Sequence, residues 1–122
     1  MKTRNKIIEP NTALLSSAFT QVHVGSRTYI KPAEIVMISA DISYSYIHLS
    51  DGKKIIVSTN IQKLQERLLG VKNMVRVHRS YIINTKYLKY IDGAIAFLVN
   101  DNQCIISRRK RNNLFNLIQL NN

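Results

Sequence analysis

Val75-Arg76-Val77-His78-Arg79-Ser80-Tyr81-Ile82-Ile83-Asn84 is the stretch whose reading decides the fold. Val75 and Val77 alternate with Arg76, the period-two pattern of a half-buried strand. Tyr81-Ile82-Ile83 is a second apolar run. Between them stand three polar side chains in a row, His78, Arg79 and Ser80. A continuous strand with one buried face would send at least one of the three into the core. The simpler reading is a short exposed loop pinned on both sides by core residues. That loop carries an imidazole, a guanidinium and a hydroxyl, all able to donate hydrogen bonds to an anion or a base edge, and it holds no acid.

Upstream, Gln62, Leu64 and their neighbours form the nearest periodic segment. Ile61, Leu64 and Leu68 recur at helical spacing, and Gly70 supplies a stop. Thr59 followed by Gln62 has the spacing of a capping box, so one short amphipathic helix is expected over residues 60–69. Before it the texture is strands and turns. Gln21 to Val24, Gly25-Ser26 and Arg27 to Ile30 read as a hairpin that Lys31-Pro32 ends. Glu34 to Ser39 reads as a buried strand, and Ala40 to Ser45 as a polar loop. The run Tyr44 to Leu49, then Asp51-Gly52, then Lys54 to Val57 is a second hairpin, because glycine accepts positive φ in such a turn. Downstream, Tyr87 to Ile91, Ala94 to Val99 and Gln103 to Ser107 read as three strands joined by Asp92-Gly93 and Asn100-Asp101-Asn102. Leu114, Leu117 and Ile118 mark a final helix after the basic run Arg108-Arg109-Lys110-Arg111. Residues 1–17 read as a tail and 18–122 as one domain, and strands about every 8–12 residues point on generic grounds to an all-β sandwich or barrel.

The 122 residues suffice for one domain with a core. Eighteen Lys and Arg against seven Asp and Glu give a formal charge of +11, an imbalance that points to a polyanionic partner, nucleic acid first. A single cysteine allows no internal disulfide and fits a reducing compartment, hence a cytoplasmic protein. No run approaches the ~18 apolar residues of a membrane span. His78 and Ser80 have no acid beside them to orient an imidazole, and His23, His48 and Cys104 lack metal-ligand spacing, so no enzyme, metal or cofactor is expected. Cys104 alternates with Ile106 and reads as a core residue. If Ser107 caps the last helix, the cations that follow sit at the positive end of its dipole. That costs up to ~1 kcal/mol per charge unless an anion binds there.

Arg-Val-His-Arg-Ser-Tyr-Ile-Ile-Asn resembles the signature of the LytTR domain, the DNA-binding output module of the LytR/AlgR type of bacterial response regulator; the phenylalanine common before that strand is Met74 here. The likeness runs from about Phe19 to Leu120. It implies an elongated stack of small antiparallel sheets with a short central helix and a C-terminal helix. It implies a transcription regulator that grips double-stranded DNA with loops entering successive major grooves, two copies on a direct-repeat site; the sequence shows no heptad and no second core, so a monomer is expected free in solution. It also implies the alternative of a stand-alone module pairing with another LytTR regulator, since the chain leaves no room for a receiver domain. Carried over by position, base contacts fall on Arg79, on Arg109, and within Ser43-Tyr44-Ser45. Phosphate contacts fall on His78, Ser80, Ser107 and Lys110, with Arg108 beside them. Arginine suits guanine O6 and N7, whereas hydroxyl and imidazole groups suit the backbone.

Overall fold

A computed structural model of the chain describes residues 21–121; the tail expected over 1–17 and the domain start at 18 lie outside the described residues. A β-hairpin of β1 (Val22–Gly25) and β2 (Thr28–Ile30) comes first, then a 3-10 turn over Pro32–Glu34. Next come β3 (Ile35–Asp41), β4 (Tyr44–Leu49) and β5 (Lys54–Val57), the helix α1 (Ile61–Arg67), and β6 (Met74–His78) with β7 (Tyr81–Asn84). Strands β8 (Leu88–Asp92), β9 (Ile95–Leu98) and β10 (Gln103–Ile105) lead into α2 (Arg108–Asn121). The fold is mainly β, built as three antiparallel sheets of two, five and three strands, with the five-stranded sheet ordered β5-β4-β3-β7-β6.

Both faces of the five-stranded sheet contribute core residues, because successive residues of its central strands point to opposite sides. Ile38, Ile47, Val57 and Ile82 pack with Val24 and Ile30 of the first hairpin and with Ile61, Leu64 and Leu68 of α1. Val36, Met37, Val77 and Ile83 face the other way, against Ala96 and Leu98 of β9, Cys104, Ile106 and Leu114 of α2. Cys104 is thus a core residue, and burial pushes its thiol up to about 12. Asn84, the last residue of the opening stretch, is buried as well. Its Nδ2 donates to Ile35 O at 2.9 Å and its Oδ1 accepts from Lys86 N–H at 3.0 Å, which satisfies both ends of the amide.

Two local expectations need correction. The cap of α1 is Asn60, whose Oδ1 accepts from Lys63 N–H at 2.8 Å, one residue later than the Thr59–Gln62 spacing suggests. Thr59 is engaged elsewhere: its carbonyl accepts from Ser45 Oγ at 2.6 Å, and its side chain stands against Gly25. The polar loop expected over Ala40 to Ser45 is mostly strand. Strand β3 runs to Asp41 and pairs it with Tyr44, which leaves Ile42 and Ser43 as the turn. Ile42 adopts φ 57 there and is 95% exposed, a left-handed conformation that a β-branched residue rarely takes. Among the described residues no helix is long and apolar enough to cross a membrane.

Candidate nucleic-acid interface

The turn between β6 and β7 is tighter than a three-residue loop. His78 ends β6, pairs with Tyr81 beside a register shift, and leaves Arg79 and Ser80 as the connection. The turn closes on itself: His78 Nδ1 accepts from Ser80 N–H at 3.0 Å. Arg76 braces it from behind. Its Nε donates to His78 O at 2.8 Å and its Nη2 to Arg79 O at 2.6 Å, while Nη1 reaches the side-chain oxygens of Gln62 and Gln65 on α1. Partial burial lowers the pKa of this guanidinium from its ordinary value. Arg76 is a positioning residue that sequence reasoning missed. The only hint is a lone charge alternating with two valines, and it leaves open whether that face meets water or a helix. With both carbonyls held, the exposed Arg79 side chain projects from a defined base.

The start of α2 docks beside this turn. Ser107 N–H donates to Val77 O at 2.8 Å, and Ile106 N–H to Ala94 O at 2.7 Å. Ser107 Oγ accepts from Lys110 N–H at 3.3 Å, so Ser107 caps α2 as expected. Ile106 and Leu114 sit in the core on either side, which fixes the helix start against β6. The first turn of α2 contains no acid and four cations. Arg111 adds to the electrostatic cost, since its Nε is shielded from solvent with no hydrogen-bond partner.

Together the two segments line a cleft of about 380 Å³ formed by Arg76, His78, Arg79, Ser107, Arg109 and Lys110. None of these lining residues carries a carboxylate. Five of the residues singled out in the sequence are therefore brought to one place. Ser80 and Arg108 flank the cleft rather than line it: Ser80 is half-buried in the turn, and Arg108 is exposed on the first turn of α2.

The third expected element lies at the same end of the sheet. Ala40 N–H donates to Ser80 O at 2.9 Å, so the β3–β4 turn stands next to the β6–β7 turn. Tyr44 is 49% exposed there. Ser45 is not: it is fully buried, and its hydroxyl is committed to Thr59 O. The base-contact expectation for Ser45 is overturned by this burial, because strand alternation turns Tyr44 outward and Ser45 inward. Exposed Ile42 and Ser43, at the tip, are what this hairpin presents with Tyr44.

The family model of the LytTr DNA-binding domain matches residues 25–119. Among solved structures, the chain is similar to the LytTr DNA-binding domain of a methyl-accepting/DNA response regulator from Bacillus cereus. The TM-score is 0.63 at 16% sequence identity, over 81% of this chain and 94% of that one. No curated protein matches the chain.

Proposed function

The chain belongs to the LytTR family of DNA-binding domains, and from that premise we propose that it binds double-stranded DNA sequence-specifically, as a bacterial transcription regulator working in the cytoplasm. In this reading the β6–β7 turn and the start of α2 enter major grooves, with Arg79 and Arg109 on base edges. His78, Ser80, Ser107, Arg108 and Lys110 hold phosphates. Tyr44, with Ser43 and Ile42, contributes from the β3–β4 turn. The observation that carries the reading is the cleft itself, in which a braced arginine turn and a capped basic helix start converge without a carboxylate.

Physical chemistry supports this use of the cleft. Cations crowded at the positive end of a helix dipole are mutually unfavourable in the free domain. A phosphate at the same place is attracted by the dipole, the free amides and the cations together. The test is a gel shift against a random duplex library, followed by sequencing of the bound fraction. Enrichment of one motif is the expected result, and a bound fraction with the composition of the input overturns sequence specificity.

Free in solution the domain is a monomer, and two copies occupy a direct repeat. Sedimentation without DNA checks this. A single species near the 14.0 kDa chain mass is expected; a tight dimer contradicts it and favours the alternative, a module that pairs with another LytTR regulator.

A further inference from the structure

The end of the sheet that carries the cleft continues past it. Strands β5, β4, β3, β7 and β6 are neighbours in that order, and all of them terminate or begin there, at Val57, Tyr44, Asp41, Tyr81 and His78. The cleft lies at the β6 side. Beyond the β5 side stands the tip of the first hairpin, Ser26-Arg27. Ser58 N–H donates to Ser26 Oγ at 3.4 Å, and Gly25 approaches Thr59 so closely that a Cβ on it would lie 1.9 Å from Thr59 Oγ1. Arg67 Nη1 on α1 donates to His23 O at 3.0 Å and ties down the other end of β1. The hairpin is thus held to the domain at three points, and its tip is fixed at the rim.

We propose that Arg27 is a further DNA contact, gripping a backbone phosphate on the flank of the duplex opposite to the one held by α2; this rests on the DNA-binding reading above. Two features of the tip support it. Ser26 and Arg27 adopt φ 52 and φ 59, and both are exposed. Turns of that kind favour glycine or asparagine at both places, so arginine is not the residue that the backbone there would select. The charge has the sign the duplex requires, on the same rim as the cleft. The separation fits as well. Four interstrand steps of ~4.8 Å put β5 about 19 Å from β6, and Ser26, beside Arg27, is hydrogen-bonded to Ser58 just past the end of β5. That is more than half of the ~34 Å turn of B-DNA, so the two ends of this rim lie against different stretches of the duplex backbone. A backbone contact needs only a cation within reach of a phosphate, whereas base readout needs a donor seated in a groove.

Arg27→Gly tests this, because glycine accepts the positive φ and the guanidinium is removed without straining the turn. Binding is titrated against salt on the selected duplex, with its flanks and shortened to the core motif, for the intact protein, Arg27→Gly and Arg27→Lys. On the flanked duplex, Arg27→Gly is expected to flatten the log–log salt slope by about one unit and leave base preference unchanged, and Arg27→Lys to restore the slope. On the shortened duplex the intact protein should fall to the slope of Arg27→Gly. A steep intact-protein slope that Arg27→Gly leaves unchanged overturns the inference alone. A change in base preference also overturns it, as that marks readout rather than backbone contact. A flat slope for the intact protein overturns the DNA-binding reading and this inference with it.

Discussion

Arg79 and Arg109 approach the same cleft from unlike supports. Arg79 projects from a two-residue turn, and Arg76 ties the carbonyl of Arg79 and that of His78 before it. Arg109 stands on the first turn of a helix capped by Ser107. An arginine whose backbone is fixed can present its planar donor fork to guanine O6 and N7 from a defined base. Arg79→Ala and Arg109→Ala are each expected to cost about 1–3 kcal/mol on the preferred duplex and to relax preference at one base pair. Lys110→Ala should weaken preferred and scrambled duplexes alike and flatten the salt slope by about one unit. Titrations on both duplexes check this, with thermal melts as a control, since changes at these surface positions should move stability by no more than ~0.5 kcal/mol. Equal weakening of both duplexes by the arginine variants would show backbone contact only. At this scale much was legible: a row of three polar residues between core strands, and a basic run after a serine. Arg76 and Ser45 were not. Their roles depend on partners 11 and 14 residues away, Gln65 and Thr59, and a single strand's pattern does not say what faces it.

Among the elements, the short helix α1 shows where sequence spacing and actual capping part. Thr59-Asn60-Ile61-Gln62 permits two caps, and tertiary contacts decide between them. Because Thr59 is occupied by Ser45 and Gly25, Asn60 takes the role. Asn60→Ala should therefore destabilise the domain by about 1 kcal/mol, read as a lower denaturant midpoint with unchanged slope; an unaltered midpoint would mean the cap carries no stability. The β3–β4 pair makes a pH prediction. His48 on β4 meets Ser39 Oγ at 3.0 Å through Nε2 and pairs across the sheet with Lys54. Burial first, and the Lys54 charge second, lower its pKa from the ordinary 6.5. The unfolded chain therefore takes up this proton at a higher pH than the folded one. The contribution is fully present above about pH 6.5 and is lost as pH falls below it. Melting temperature should drop as pH falls below about 6.5, and His48→Gln should flatten that drop. An identical pH profile for the variant would show that His48 is not the group responsible. That a histidine sits on this strand was plain from the sequence, whereas its burial follows from the neighbouring strands that cover it.

At the scale of the whole molecule, the net charge of +11 is a statement about partners rather than fold, and the sheet brings Arg76, Arg79 and the basic run Arg108 to Arg111 to one end. Three connections that lie far apart in sequence, after Asp41, His78 and Ile105, meet at one end of one sheet. Periodicity and turn signals predict the strands, but not the order β5-β4-β3-β7-β6 that gathers those connections; the family resemblance implies that the three loops act together, but it too leaves that order open. Because that end bears the cleft and the basic start of α2, binding should release the counterions of several phosphates at once. The most direct measurement is the affinity for duplex DNA as a function of salt. Contacts to about six phosphates would give a slope of log affinity against log salt near −5, and the account predicts a steep negative value of that order. A slope near zero would contradict it.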